Sequence, residues 1–166
     1  MVRVDIETIV MAAGPVPSLI VLRERSSKSD SPAPLRSLSI QTGSFEAAAI
    51  SRGIDSGRAE RPITHDLLLD TVDALGAKLE RIEIVRAEPP VFYATIVVLA
   101  DGEERKIDAR PSDAIALAVR SNAPMFVEDD IMNRLSTVST HAEEVDDEQE
   151  FEKFDEFVHT LSPDDF

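Results

Sequence analysis

Two stretches of this chain repeat one another. Residues 43–50, GSFEAAAI, align with residues 110–117, RPSDAIAL, and each follows a short run carrying a matched isoleucine, Ile40 or Ile107. Each places an acid, Glu46 or Asp113, in the first turn of an expected helix, followed by small residues. An acid is favoured at any helix start by the helix dipole, so the acid alone is not diagnostic. Strand, junction, acid and small-residue face agree in order, and that agreement argues for duplication. Each unit then reads as three strands, a helix and a further strand. The alanines permit close packing of helix on sheet. The expected fold class is therefore α+β, with duplicated β3-α-β repeats in one compact domain plus a C-terminal helix.

The rest of the chain can be placed around those two junctions. Val4, Ile6 and Val10 alternate with charged residues at strand period, Leu19–Leu22 form a second apolar run, and Leu38 and Ile40 mark a third. Between them, residues 23–34 are polar and Ser/Pro-rich and read as an exposed loop. Ser44 is the expected N-cap of the first helix and Gly53 its stop. Thr64 is the expected cap of a second helix, whose Leu68, Leu69, Val72 and Leu75 make an apolar stripe before Gly76. Strands return at Leu79–Val85 and Val91–Leu99, and Asp101-Gly102 signals a hairpin into Arg105–Ala109. Pro111 fits the first turn of the repeat's second helix, Asn122 and Pro124 close it, and Met125–Val127 follow as a short buried strand. The domain is expected over 1–135, an acidic linker over 136–150, and an amphipathic helix over 151–166. Phe151, Phe154, Phe157 and Leu161 fall about one turn apart on that last helix.

Charge distribution narrows the functional classes. Of the net −15, residues 1–140 hold 16 Lys/Arg against 21 Asp/Glu, while residues 141–166 hold 1 against 11. Most of the imbalance sits in the tail, and no broad basic face is available for a sequence-independent nucleic-acid clamp. An enzyme meeting phosphate through a few arginines or a metal ion stays open. There is no cysteine, so thiolate zinc sites and disulfides are excluded. The N-terminus lacks the basic, apolar pattern of a signal peptide and no apolar run reaches membrane length. A soluble cytoplasmic protein with no membrane partner is expected. P-loop, dinucleotide and nucleophile-elbow motifs are missing, and one tyrosine, Tyr93, cannot build a multi-aromatic platform.

Three clusters can carry chemistry. Arg61-Pro62-Ile63-Thr64-His65-Asp66 opens the second helix and holds the body's single histidine. His65 suits a general base, a metal ligand or a proton donor; equally, Thr64 can cap, Asp66 complement the dipole and His65 make a structural hydrogen bond. Asp108, Arg110, Ser112 and Asp113 surround the start of the repeat's second helix. Arginine beside a helix start suits phosphate, and paired carboxylates suit Mg²⁺ or Mn²⁺. An Arg110–acid ion pair with Ser112 and Asp113 capping the helix accounts for the same residues. Glu46 shares a cleft with Asp113 if the repeat brings the two helix starts together.

The segments GSFEAAAI, RPITHDLL, FYATIVV and ARPSDAIALAVR resemble the bifunctional nuclease family, named for DNase and RNase activity reported in plant members. The resemblance covers roughly residues 1–135, and the tail FEKFDEFVHTLSPDDF is similar to that of many bacterial members. The motif positions that match are Glu46, Arg61, Thr64, His65, Asp66, Arg110, Ser112 and Asp113. The loop at 23–35 departs from the pattern in being longer. The resemblance implies an α+β duplication and a cytosolic homo-oligomer, with a dimer favoured. It also implies DNase and RNase activity, and the residues add the expectation of phosphodiester hydrolysis with little sequence specificity, assisted by a divalent metal, Mg²⁺ or Mn²⁺. In that reading His65, Asp66 and Asp113 are catalytic, Arg61, Arg110 and Ser112 bind substrate phosphate, and Glu46, Asp108 and Asp113 hold the metal. The alternative is a non-catalytic binding or regulatory module that engages a partner through the same cleft and the acidic tail.

Overall fold

The structure, a computed structural model, describes residues 1–13, 15–25, 35–55 and 60–138. Its elements run β1 (Val2–Val10), β2 (Ser18–Glu24), β3 (Arg36–Thr42), α1 (Ser44–Asp55), α2 (Thr64–Ala74), β4 (Ala77–Glu88), β5 (Val91–Ala100), β6 (Glu103–Ala109), α3 (Pro111–Ser121), β7 (Met125–Val127), α4 (Asp129–Leu135) and β8 (Thr137–Val138). The eight strands form one sheet in the order β6-β5-β4-β7-β1-β2-β3-β8. The expected α+β class is observed.

Both halves of the duplication are visible as antiparallel three-strand meanders, β1-β2-β3 and β4-β5-β6, each followed by a helix, α1 or α3. The repeat equivalence extends to the caps. Ala47 N–H donates to Gly43 O and Ala114 N–H to Arg110 O, so Gly43 and Arg110 begin the two helices at matched positions. Among the described residues the further strand after the helix exists in the second half alone. That strand, β7, pairs parallel with β4 and antiparallel with β1, and so closes its own half and joins it to the other.

Register explains the core. Ile96, Ile82, Met125 and Val4 stand opposite one another across four adjacent strands, and Ala94, Ile84, Val127 and Val2 form the next row. Side chains alternate faces along a strand, so these rows share one face. Ile50, Ala114, Ile115, Leu117, Ile131 and Met132 from the helices join them in one buried cluster. At roughly 1.5–3 kcal/mol per fully buried aliphatic side chain, this layer is the main stabilising feature. Elsewhere on the sheet Glu83 is buried to 3% exposure. Arg81 Nε donates to it at 2.6 Å and Lys106 Nζ at 3.2 Å, while Arg81 Nη1 also reaches Glu104 at 2.6 Å. Burial alone would raise the Glu83 pKa, but the Arg81 and Lys106 hydrogen bonds outweigh it and hold the carboxyl below its ordinary value.

Several local expectations change. Gly53 does not stop α1, which continues to Asp55. A Cβ at Gly53 would lie 2.7 Å from Val119 Cγ2 and 2.7 Å from Arg120 Nη1, so the glycine serves the close approach of α1 to α3. Ser44 and Thr64 are first helical residues; the caps are Gly43 and Ile63. Of the α2 stripe, Leu69 and Val72 pack on the core, whereas Leu68 and Leu75 are 44% and 80% exposed. The Asp101-Gly102 hairpin holds, with φ of 55° and 79° at its two residues. Helix α4 was not anticipated. β8 takes the first residues of the expected linker, and the rest of 136–150, the helix over 151–166 and most of the 23–35 loop lie outside the described residues. Among those described, no helix is long and apolar enough to cross a membrane.

Candidate active site

The site is built where the starts of α1, α2 and α3 meet. At the end of β6 the chain turns through Arg110, whose φ of −69° and ψ of 145° are extended, and Pro111 occupies the first helical position. Pro111 has no N–H to leave unpaired and its ring is set for helical φ. The Arg110 guanidinium folds back on its own helix. Nε donates to Asp113 Oδ2 at 2.8 Å and Nη2 to Asp113 Oδ1 at 3.1 Å, a two-pronged pairing. Nη1 reaches Glu46 Oε1 at 3.1 Å. The two repeat-related acids are thus bridged by a single guanidinium. A Cβ at Gly43 would collide with the Glu46 carboxylate, so the glycine at the α1 cap leaves space for that side chain.

Charge governs this cluster. Hydrogen bonds from Arg110 hold the Asp113 carboxyl below its ordinary value of 3.8, against an opposing effect of burial, with His65 adding in the same direction. The Asp113 partner in turn pushes the Arg110 guanidinium up, with a smaller contribution from Glu46. One guanidinium against two carboxylates leaves one negative charge uncompensated. The side chains of Arg110, Asp113 and Glu46 are 65%, 35% and 27% exposed, so water screens these pairs and an incoming anion can compete for Arg110.

His65 arrives from α2. Ile63 is extended at the cap, and its N–H donates to Asp66 Oδ2 at 3.0 Å. Asp66 Oδ1 accepts from Arg120 Nε at 2.9 Å, with the two side chains 12% and 7% exposed. With the first turn so fixed, His65 Nε2 lies 3.4 Å from Asp113 Oδ1, and the imidazole is 16% exposed. At that distance the contact is weak as a hydrogen bond, but it aligns imidazole, carboxylate and guanidinium in one chain.

The structure therefore brings together His65, Asp113, Arg110 and Glu46. It sets Asp66 one step back, with its carboxylate turned to Arg120 and the α2 cap. Ser112 is buried to 8% exposure in the first turn of α3. Arg61 is exposed at the approach to α2 and has no ion pair with a described residue. Asp108 stands on β6 opposite Thr95, is exposed, and joins neither Glu46 nor Asp113 in an ion pair or hydrogen bond. Among the described residues no three His, Cys, Asp or Glu side chains gather as a cation site. The carboxylates are the right donor type for Mg²⁺ or Mn²⁺, but Arg110 bridges Glu46 and Asp113, an ion-pair arrangement that does not fit a preformed metal cradle. A cleft of about 360 Å³ opens beside the Asp66–Arg120 pair, lined also by Arg52, Gly53, Asp70 and Lys78; His65 and Asp113 are not part of its wall.

Sequence reading missed Arg120, which sits in the last turn of α3 and is indistinguishable by position from a basic residue complementing the helix dipole. Phe45, next to Glu46 on α1, is 88% exposed.

Comparison with known proteins identifies the family. The bifunctional nuclease domain model matches residues 20–140, a span containing every residue of the cluster. Two uncharacterized Mycobacterium tuberculosis proteins, MT1877 of strain CDC 1551 and Rv1829 of strain H37Rv, are each 37% identical over 136 residues, covering 79% of this chain and 81% of theirs. With the domain matched over most of its length, this chain belongs to the bifunctional nuclease domain family.

Proposed function

We propose that the protein is a nuclease that hydrolyses phosphodiester bonds of DNA and RNA with little sequence specificity. The observation that carries this reading is the His65–Asp113–Arg110 chain at the start of α3, within a bifunctional nuclease domain. In the reaction a water oxygen attacks phosphorus as the bond to the leaving sugar oxygen breaks. Arg110, exposed and paired with partly solvated carboxylates, exchanges part of that pairing for non-bridging phosphate oxygens, where negative charge grows. Arg61 adds a second cation from the approach to α2, and the first-turn N–H groups of Ser112 and Asp113 face no helical acceptor. The His65 nitrogen not turned to Asp113 moves the proton, from the attacking water or to the leaving oxygen. Asp113 holds the ring.

Little base specificity follows from the same residues, because arginine and helix N–H groups read phosphate and not base edges. Assistance by Mg²⁺ or Mn²⁺ at Glu46 and Asp113 requires Arg110 to leave those carboxylates, and comparing divalent metal with chelator tests whether it does. A binding module is the second reading, favoured by the uncompensated negative charge around Arg110. Cleavage and binding of labelled single-stranded RNA and DNA by wild type and His65→Ala separate the two. A nuclease loses cleavage and keeps binding in the variant, whereas a binding module cleaves in neither.

A further inference from the structure

We propose that Arg120 is a positioning residue for this site, holding the first turn of α2, and so His65, against the start of α3. Four observations converge on it. Its side chain is 7% exposed, and its Nε donates to Asp66, which in turn accepts the Ile63 N–H that opens α2. Its Nη1 donates to Ala116 O at 2.7 Å on α3 and its Nη2 to Ala49 O at 2.9 Å on α1. Ala49 and Ala116 are matched positions of the duplication, so one guanidinium ties the same carbonyl of both halves. The position matching Arg120 in the first half is Gly53, and a side chain there would meet Arg120 Nη1 at 2.7 Å.

The duplication is broken in the same way at the other end of the helices, where Arg110 of the second half matches Gly43 of the first. Arg110 bridges the matched acids Glu46 and Asp113. One half thus carries two arginines and the other two glycines. Arg110 stands in the site, and Arg120 stands behind it.

Arg120 acts on the site by leverage. Helix α2 has no fully buried residue, so packing holds its start weakly. A planar fork with three directed nitrogens fixes α1, α2 and α3 together, which the single point charge of lysine cannot do. Without it Asp66 loses the Arg120 ion pair, the α2 cap loosens, and His65 drifts from Asp113 although neither residue has changed.

The bearing of this on cleavage rests on the proposed function; its bearing on geometry does not, so the test reads geometry first. Full-length Arg120→Ala and Arg120→Lys are compared with wild type by the rate at which diethyl pyrocarbonate acylates His65, followed by peptide mass spectrometry that resolves it from His141 and His159. In wild type the imidazole is 16% exposed. The rate should rise about tenfold in Arg120→Ala, as expected for local opening of a weakly held turn, and less in Arg120→Lys. Guanidinium ion at millimolar concentration, entering through the adjoining cleft, should return Arg120→Ala toward wild type, and equal sodium chloride should not. If cleavage is present, kcat should fall with KM little changed, and guanidinium should restore it. Arg120→Lys keeps the charge and serves where the alanine variant does not fold. An unchanged His65 acylation rate in a folded variant overturns the proposal, as does a raised rate that guanidinium leaves untouched.

Discussion

At the residue scale, Asp113 carries the clearest electrostatic signature in the site. Its folded pKa is depressed, chiefly by Arg110, so the stabilisation it brings is present above the unfolded value. It is lost as pH falls through the folded one. The window lies below about pH 4, near the ordinary carboxylate pKa. Asp113→Asn should therefore melt closer to wild type at pH 3 than at pH 7, and an equal gap at both pH values would contradict the Arg110 pairing. Glu83 makes a second case. Glu83→Ala removes the acceptor shared by Arg81 and Lys106 in a nearly water-free position and should cost about 2–4 kcal/mol in chemical denaturation. A loss under half a kcal/mol would show that the sheet face relaxes around it. Phe45, largely in water, should tolerate serine with no comparable loss.

At the scale of elements, two opposing effects meet at Gly53. Alanine is the better helix former by about 1 kcal/mol, yet a methyl group there meets Val119 and Arg120 at 2.7 Å. Overpacking of this kind costs about 1–3 kcal/mol. The contact should win, and Gly53→Ala should lower the melting temperature; a stabilised variant would mean that α1 moves freely over α3. The same position shows what sequence could and could not reveal. The strands of each half, the Asp101-Gly102 hairpin and Pro111 were legible because alternation, turn geometry and proline chemistry act locally. Gly53 read as a helix stop because a glycine needed for close approach looks identical in sequence to one needed for a C-cap. Thr64 read as a cap because nothing local shows that Asp66, anchored by distant Arg120, reaches back to Ile63. For the site, the duplication left open whether Glu46 and Asp113 share a cleft, and in the structure Arg110 bridges them. It did not reveal that a guanidinium would stand between them, since in sequence paired carboxylates beside an arginine suit a metal site as well as an ion pair.

At the scale of the whole molecule, one sheet carries both halves, β7 locks them together, and the candidate site lies where three helix starts converge. The acidic tail is the remaining test of assembly. From the sequence spacing of Phe151, Phe154 and Phe157, we propose that these side chains are buried against another surface, worth about 1.5–3 kcal/mol each. Removing 143–166 should therefore change the mass in solution by light scattering; an unchanged mass and melting temperature would make the tail a free appendage. The central claim, that His65, Asp113 and Arg110 form a phosphodiester-cleaving site, is tested most directly by single-turnover cleavage of plasmid DNA and single-stranded RNA. Wild type, His65→Ala, Asp113→Asn and Arg110→Ala are purified in parallel, confirmed folded, and assayed with Mg²⁺, with Mn²⁺ and with chelator. Wild type should cleave in at least one condition, and each variant should lose about a hundredfold or more, the scale of a removed acid–base group or oxyanion partner. Folded variants that cleave as fast as wild type, or a wild type that cleaves nothing in any condition, would contradict it.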